Sequence, residues 1–387
     1  MQGFRFNPTA LPPEAEAART RVRRFLAGEL EAGTYAPHRS SWTTFDAGFS
    51  RRAGAAGLIG MTLPTRYGGQ EQSDLARFVV TAELLAAGAP CFAHWVADRQ
   101  SAPQILRHGS ERARREILPP IARGECFFGI GMSEPDAGSD LAAVRTRAVR
   151  TDGGWLVTGS KIWTSNAHRV HYLIALVRTG DAGENRHGGL TQVIVDLSKP
   201  GVTVRPILNM AGHHEFNEVF FSDYLVPDDM VLGAEGQGWE IVTSELAFER
   251  SGPDRFLSDY PLLVELIDRV GPTPDARQAV EIGRLIAHLA PLMRMSRSVA
   301  GLLHQGQSPE VEAALVKDVG TAFEREVPEV ARRLVPVEAE MDSGDDDAAD
   351  RFADALAHTV LDAPAYTLRG GTREVMRGVI ARGLGLR

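Results

Sequence analysis

The sequence predicts an α+β protein in which a helical region, a β region and a second helical region follow one another along the chain. Apolar residues recur at the 3.6-residue spacing of helices in residues 12–34 and 73–107. After Gly124, short apolar or β-branched runs separated by Gly, Asp and Asn replace that spacing, and the helical pattern returns near residue 236. We therefore predict three domains, which are residues 1–126 (α-helical), 127–235 (β) and 236–387 (α-helical).

The N-terminal region contains a break between two helical patterns. Pro12 and Pro13 precede a stretch in which Val22, Phe25 and Leu26 lie at helical spacing. Residues 57–69 are rich in glycine and contain a proline, so they predict a loop. In the β region, five apolar runs predict strands, at residues 127–132, 155–157, 172–177, 190–195 and 219–221.

In the C-terminal region, the Gly-Gln-Gly-Trp run at residues 236–239 predicts the start of a helix. Two longer amphipathic patterns, at about residues 275–305 and 309–335, predict two further helices. The acidic stretch at residues 340–350 predicts an exposed loop rather than a metal site, because a run of like charges is usually solvated.

The composition is that of an ordinary globular protein. The 387 residues include 50 Asp and Glu against 42 Lys and Arg, and the net charge of −8 argues against sequence-independent nucleic-acid binding. The two cysteines, Cys91 and Cys126, are too few for a disulfide framework and fit a reducing compartment. The sequence has neither a long apolar run nor a signal sequence, so we expect a cytoplasmic protein without membrane insertion.

Two segments of the β region carry residues suited to a flavin. Residues 131–143 read Gly-Met-Ser-Glu-Pro-Asp-Ala-Gly-Ser-Asp-Leu-Ala-Ala, and residues 161–166 read Lys-Ile-Trp-Thr-Ser-Asn. The first segment offers the hydroxyls of Ser133 and Ser139 beside small residues that let a ligand approach the backbone. The second offers the Trp163 indole and the Ser165 hydroxyl. An aromatic wall with donors along its edge suits a planar, polar-edged heterocycle such as isoalloxazine.

With these two motifs, the sequence resembles the acyl-CoA dehydrogenase family over nearly its whole length. The resemblance implies the helical–β–helical fold, with FAD between the β domain and the last helical bundle. It also implies FAD-dependent dehydrogenation of an acyl-CoA thioester between Cα and Cβ, with electrons passed to an electron-transfer flavoprotein. The residues that the resemblance assigns to the cofactor are Met132 through its main chain, Ser133, Trp163, Thr164, Ser165, Thr372 and Glu374.

The α-proton of the substrate needs a base, and the resemblance offers two positions for it. Many members carry a glutamate directly before Gly-Thr near the C-terminus, but Gly370 occupies that position here. Other members carry the glutamate immediately before an arginine on the first helix of the last domain, which corresponds to Glu249 before Arg250. We therefore predict Glu249 as the base, with Glu245 as the alternative. The Gly370 backbone N–H is predicted to donate to the thioester carbonyl.

Two further assignments leave an alternative open, and a third excludes a metal site. Thr372 and Glu374 could meet the flavin or serve only to cap the final helix. Ser139 and Arg250 correspond to positions that line the acyl-CoA channel in relatives, although either could be purely structural. The histidines at 213 and 214 are assigned no metal, because neighbours in an extended segment point to opposite faces. The strand that follows them is predicted to begin at Val219.

Two elements with which homotetrameric members hold the FAD of a neighbouring subunit are missing from the sequence. No Arg-x-x-Phe-Gly occurs between about residues 260 and 305, and no Gln-x-x-Gly-Gly-x-Gly occurs between residues 334 and 370. We therefore predict a heteromer in which this chain holds the flavin and supplies the base, while a homologous partner subunit completes the FAD-binding site. Two alternatives stay open, namely a non-catalytic partner of an active homologue, and a flavin oxidase or carrier-protein thioester dehydrogenase on the same scaffold.

Overall fold

The computed structural model describes residues 3–337 and 350–386, apart from the side chains of residues 245–249. The acidic stretch predicted as a loop lies outside the described residues, except for Asp350. The helices are α1 (Pro13–Glu31), α2 (Ala47–Ala55), α3 (Asp74–Ala86), α4 (Phe92–Val96), α5 (Ala102–His108), α6 (Glu111–Ala122), α7 (Gly238–Arg250), α8 (Tyr260–Val270), α9 (Ala276–His304), α10 (Glu310–Leu334), α11 (Arg351–Tyr366) and α12 (Arg373–Gly383).

Between α6 and α7 the chain forms a β-sheet. Its strands are β1 (Phe128–Gly131), β2 (Arg147–Thr151), β3 (Gly154–Lys161), β4 (Tyr172–Arg178), β5 (Leu190–Asp196), β6 (Val202–Leu208), β7 (His214–Pro227) and β8 (Val231–Leu232). The predicted order of a helical region, a β region and a second helical region is therefore confirmed.

The chain forms two compact units, each built from separate segments. The helical unit comprises Met1–Phe45, Gln72–Phe92 and Ala247–Arg387, and the sheet unit comprises Asp46–Glu71 and Ala93–Leu246. In the helical unit, α10 packs against α8, α9, α11 and α12, while α3 packs against α1 and α9. The side chains of Val316, Phe323, Val327 and Val330 are buried at helical spacing, which gives α10 its apolar face.

The strands of the sheet unit run in the order β6-β7-β3-β2-β4-β5-β8, and β1 pairs in parallel with β4. Strands β4 and β5 are central and buried on both faces, which explains their continuous apolar sequence. Ile174 and Ile194 pack with Ile117 and Ile121 of α6 on one face. Other side chains of β4 and β5 pack with β7 residues in a second cluster, which includes Leu173, Val193, Val195, Val219 and Phe221.

The predicted start of the strand at Val219 was wrong. Strand β7 begins at His214 rather than at Val219, because its first residues pair with β6 after β3 has ended. Lys161 at the end of β3 pairs with Val219, whereas Phe216 pairs with Ile207 of β6. The polar run before Val219 is thus part of the sheet, and it extends past the end of β3.

Candidate active site

The two predicted flavin segments meet in the sheet unit, where strands β1 and β3 end. The Ile162 N–H donates to the Ser133 carbonyl at 2.9 Å. The Lys161 ammonium donates to the Met132 carbonyl at 3.2 Å and to Glu134 Oε1 at 2.8 Å. Backbone and side-chain hydrogen bonds therefore join the two segments, between residues that lie 27 or 29 positions apart in the sequence.

The Lys161–Glu134 ion pair is buried, with the two side chains 0% and 8% exposed. Glu134 also accepts the N–H groups of Arg145 and Thr146, at 2.6 Å and 2.9 Å. Burial opposes ionisation of Glu134, but the charge of Lys161 and these hydrogen bonds outweigh it and hold the Glu134 pKa below its ordinary value. Burial lowers the pKa of Lys161 to about 8, against the attraction of Glu134. The pair fixes the loop that follows β1.

Trp163 has an unusual backbone conformation for a bulky residue. Its φ angle is 59°, in the left-handed region that non-glycine residues seldom adopt. The indole is 57% exposed and meets the edge of the Phe216 ring, with the ring centroids 6.0 Å apart. An aromatic face thus stands open on a strained loop, which is the arrangement that a planar cofactor requires.

Thr164 is enclosed, unlike Trp163 beside it. Its N–H donates to the Asn217 carbonyl at 3.1 Å, and its carbonyl accepts the Asn217 side-chain amide at 3.0 Å. The side chain is fully buried, and within the described residues its hydroxyl has no hydrogen-bond partner. Met132, Ser133 and Ser165 are half-buried, whereas Ser139 is exposed. These residues share one unit, but only Trp163 presents a large open surface.

In the helical unit, the loop before α12 is anchored through two consecutive carbonyls. Arg250 Nε donates to the Gly370 carbonyl at 3.2 Å, and Lys317 Nζ donates to the Gly371 carbonyl at 2.5 Å. Gly370 and Gly371 have φ angles of 67° and 97°, which glycine adopts at little cost. Arg250 and Lys317 are both buried. The main chain of the loop is therefore held at both glycines by side chains from α7 and α10.

Arg369 ties the same loop to a buried polar cluster. Its Nη2 donates to the Asp254 carbonyl at 2.8 Å, to Ser258 Oγ at 2.7 Å and to Glu324 Oε2 at 3.0 Å. The guanidinium also lies over the Trp42 ring, 4.3 Å from the centroid. Burial raises the pKa of Glu324 against the opposing charge of Arg369. The cluster holds Arg369, and hence the start of the loop, against the body of the unit.

Thr372 is the N-cap of α12. Its hydroxyl accepts the Val375 N–H at 3.4 Å, which satisfies one of the free donors of the first helical turn. Glu374 is exposed in that turn, and its own backbone N–H together with the Thr372 hydroxyl lowers its pKa. The capping alternative for these residues is therefore observed, and their contact with a flavin stays a prediction.

The predicted base lies outside the part of the structure in which side chains are described. Glu249 and its alternative Glu245 belong to α7, and no side-chain position is assigned to either. Arg250, the last residue of α7, reaches the Gly370 carbonyl. The end of this helix therefore lies beside the loop before α12 that contains Gly370 and Gly371, the glycine loop.

Several residues of these two sites have no individual signal in the sequence. Asn217, Lys317 and Arg369 act through contacts with residues 45 to 54 positions away. Glu134 and Lys161 lie inside the two flavin motifs, so their opposite charges could have predicted the ion pair. Among the described residues, no helix is long and apolar enough to cross a membrane.

Comparison with known proteins bears directly on this arrangement. Residues 12–125 match the family model of the acyl-CoA dehydrogenase N-terminal domain, and residues 129–224 match that of the middle domain. The chain is 32% identical over 390 residues to acyl-CoA dehydrogenase IpdE1 of Mycobacterium tuberculosis, a match that covers 96% of this chain and 98% of that protein. The chain belongs to the acyl-CoA dehydrogenase family.

Other relatives extend the comparison. The chain is 33% identical over 329 residues to acyl-CoA dehydrogenase FadE34 of the same organism, a match that covers 85% of this chain and 44% of FadE34. Its fold is similar to that of the ChsE4-ChsE5 complex of Mycobacterium tuberculosis, with a TM-score of 0.82, 28% identity, and 98% and 99% of the two chains covered. The Tcur3481-Tcur3483 steroid ACAD gives a TM-score of 0.84 at 24% identity, with 98% and 100% covered.

Membership confirms the resemblance and the enzyme class predicted from the sequence. Members of the acyl-CoA dehydrogenase family are flavoproteins that oxidise CH–CH groups of acyl-CoA thioesters. This chain is accordingly an oxidoreductase of that class.

Proposed function

We propose that this acyl-CoA dehydrogenase binds FAD beside Trp163 and removes hydrogen from the Cα–Cβ bond of an acyl-CoA thioester. The observation that carries the proposal is the junction of the two flavin segments through the bond between Ile162 N and the Ser133 carbonyl and the buried Lys161–Glu134 pair. It joins the loop that carries Ser133 to the loop that carries Trp163 and Ser165, in which Trp163 is exposed while both serines are half-buried. The residues fit a flavin because they combine an aromatic face with polar edge contacts.

When bound, the flavin supplies the acceptor for the hydride that leaves Cβ. The chain's own residues bind and orient the cofactor. Trp163 offers a flat surface, and Ser133 and Ser165 offer hydroxyl groups. Met132 offers its main chain, in the same loop as Ser133. Lys161 and Glu134 hold that loop in place from below the surface, since both are buried.

In the proposal, Glu249 takes the α-proton. The support is positional, because Arg250 follows Glu249 on α7 and donates to the Gly370 carbonyl. The carboxylate would accept the proton as the thioester carbonyl gains negative charge, and an apolar surround would raise its pKa toward a useful value. Gly370 carries no side chain, so it cannot be the base.

Stabilisation of the enolate oxygen is assigned to the glycine loop. The Gly370 N–H would donate to the thioester oxygen, a contact that needs no side chain. The carbonyls of Gly370 and Gly371 are both anchored, by Arg250 and Lys317. Because a peptide unit joins one carbonyl to the N–H of the next residue, these two anchors orient the N–H groups of Gly371 and Thr372. The Gly370 N–H belongs to the peptide unit of Arg369, whose guanidinium is held by Ser258 and Glu324.

The test of this assignment is the substitution Glu249→Gln, which removes the base and keeps the size of the side chain. We expect turnover to fall by a factor of about 10² to 10⁴, with the flavin absorption spectrum unchanged. The matched control is Glu245→Gln on the same helix, which is expected to retain most of the activity. Turnover is measured on the complex with the homologous subunit. Loss of turnover in the control alone would move the base to Glu245, and unchanged turnover in both complexes would favour a non-catalytic role for this chain.

We further propose that a homologous subunit completes the cofactor site and that an electron-transfer flavoprotein accepts the electrons. The support is that the sequence lacks the Arg-x-x-Phe-Gly and Gln-x-x-Gly-Gly-x-Gly elements with which homotetrameric members hold the FAD of a neighbouring subunit, here called the adenosine-side elements. Two solved relatives of similar fold have titles that name a pair of proteins, ChsE4-ChsE5 and Tcur3481-Tcur3483.

A further inference from the structure

We propose that Asn217 is a positioning residue that holds Trp163 in its left-handed conformation and thereby sets the aromatic wall of the flavin site. The conformational part of the proposal stands on the geometry of the sheet unit alone. Its consequence for flavin binding rests on the proposed function.

Trp163 needs an external constraint to keep its conformation. A bulky residue seldom adopts a φ angle of 59°, and it persists there only where its surroundings over-determine it. The indole cannot supply that constraint, because more than half of it is exposed and its ring contact is with the edge of Phe216. The constraint must therefore come from the backbone on either side.

Asn217 supplies that constraint on the C-terminal side. Its carbonyl accepts the Thr164 N–H at 3.1 Å, and its side-chain Nδ2 donates to the Thr164 carbonyl at 3.0 Å. These two bonds fix the peptide planes before and after Thr164, and the first of these planes is also the C-terminal plane of Trp163. On the N-terminal side, the bond from Ile162 N to the Ser133 carbonyl holds the chain.

The position of Asn217 explains why the loop turns where it does. Lys161 is the last residue of β3 and pairs with Val219 of β7, two residues beyond Asn217. An unbroken ladder would continue toward Asn217, but Asn217 instead bonds Thr164 through both its main chain and its side chain. The side chain is 0% exposed, so its hydrogen bonds are protected from water.

The chemistry of the site requires an amide at this position. Because Nδ2 donates to Thr164, the other end of the amide, Oδ1, faces His214 Nε2 at 2.7 Å. His214 must then carry its proton on Nε2 and donate it. The His214 ring is itself stacked on His168, with the centroids 3.6 Å apart. An ionised aspartate could accept from His214 but could not donate to Thr164, so Asn217→Asp removes the bond to the Thr164 carbonyl.

The first experiment is fluorine NMR of the flavin-free chain labelled with fluorotryptophan. The sequence contains five tryptophans, and Trp163→Phe assigns the resonance of interest. In Asn217→Asp we expect the Trp163 resonance to shift and broaden while the other four, which report on an intact fold, stay in place. The matched control is Asn209→Asp in the turn before β7, where the side-chain oxygen only accepts N–H bonds from Ala211 and His213. An unmoved Trp163 resonance in Asn217→Asp would overturn the proposal.

A milder pair of variants covers the case in which Asn217→Asp does not fold. His214→Gln keeps a donor for Asn217 Oδ1, whereas His214→Leu removes it and frees the amide to rotate. We expect the Trp163 resonance to move in the leucine variant and to keep its position in the glutamine variant. Equal spectra for the two variants would argue against the proposal.

The second experiment is titration with FAD of the same flavin-free proteins, each in complex with the homologous partner subunit. We expect Asn217→Asp to weaken FAD binding at least tenfold relative to Asn209→Asp. A moved Trp163 resonance with unchanged FAD affinity would overturn the link between Asn217 and the flavin wall. If the native chain, alone and with its partner subunit, binds no FAD, the proposed function fails, and the NMR result still decides whether Asn217 positions Trp163.

Discussion

The buried ammonium of Lys161 is stabilised by a single carboxylate and one carbonyl. Removing one member of a buried ion pair leaves the other charge without compensation, which typically costs about 3–5 kcal/mol. We expect Lys161→Met to lower the free energy of unfolding by about that amount, measured by urea denaturation of the flavin-free chain. Glu134 would also lose the partner that lowers its pKa.

Two comparisons make the Lys161 prediction specific. Lys199→Met is the matched control, because Lys199 is 63% exposed and lies 3.8 Å from Asp196, so its loss should cost less than about 1 kcal/mol. The double variant Lys161→Met with Glu134→Gln should be less destabilised than the sum of the two single variants. Strict additivity would mean that the pair does not act as a unit.

His94 gives the chain a specific sensitivity to acid. Burial lowers the pKa of His94 to about 4, so the folded protein keeps this imidazole neutral where the unfolded chain, with a pKa near 6.5, binds a proton. Stability is therefore lost as pH falls through 6.5 toward 4, by about 3 kcal/mol in total. We expect His94→Gln to flatten the pH dependence of the urea midpoint between pH 7 and pH 4.5. Parallel curves for both proteins would contradict the assignment.

At the scale of the element, helix α12 depends on its cap. Thr372 accepts the Val375 N–H through its hydroxyl, and replacing such a cap typically costs about 1 kcal/mol. We expect Thr372→Val to lower the thermal midpoint of unfolding, while Thr372→Ser stays close to the native value. If Thr372 also contacts the flavin, Thr372→Val will weaken FAD binding by more than the loss of stability explains.

The sequence predicted the strands that are buried on both faces, and it missed strands in which exposed polar residues interrupt the apolar pattern. Strands β4 and β5 are apolar throughout because both faces are covered. Strand β6 was missed because Pro206 interrupts it and most of its residues are exposed, as an edge strand permits. Strand β2 was missed because only two of its five residues, Ala148 and Val149, are apolar.

The candidate site shows the same limit. Trp163 was predicted from a local motif, whereas the contact with Asn217 depends on a strand 53 residues later. The anchoring of Gly371 by Lys317 likewise joins residues 54 positions apart. Local sequence carries residue types and spacing, but such contacts follow only from the topology of the sheet and the packing of the helices.

At the scale of the whole molecule, the proposed heteromer predicts when the purified protein shows the visible absorption of bound flavin. Without the two adenosine-side elements, the chain purified alone should lack the visible absorption bands of bound flavin. Co-expression with a homologous subunit should yield a complex that carries those bands. The measurement is an absorption spectrum of each preparation, with the protein concentration matched. Flavin bands from the chain alone would point to a homo-oligomer.

The reach of Asn217 across 53 residues also sets an order of events on the ribosome. At synthesis rates of about 5–20 residues per second, β7 is translated roughly 3 to 10 seconds after the Trp163 loop. During that interval the loop lacks the bonds by which Asn217 holds Thr164. If Asn217 positions Trp163 as proposed, the flavin site of the nascent protein can form only after β7 joins the sheet.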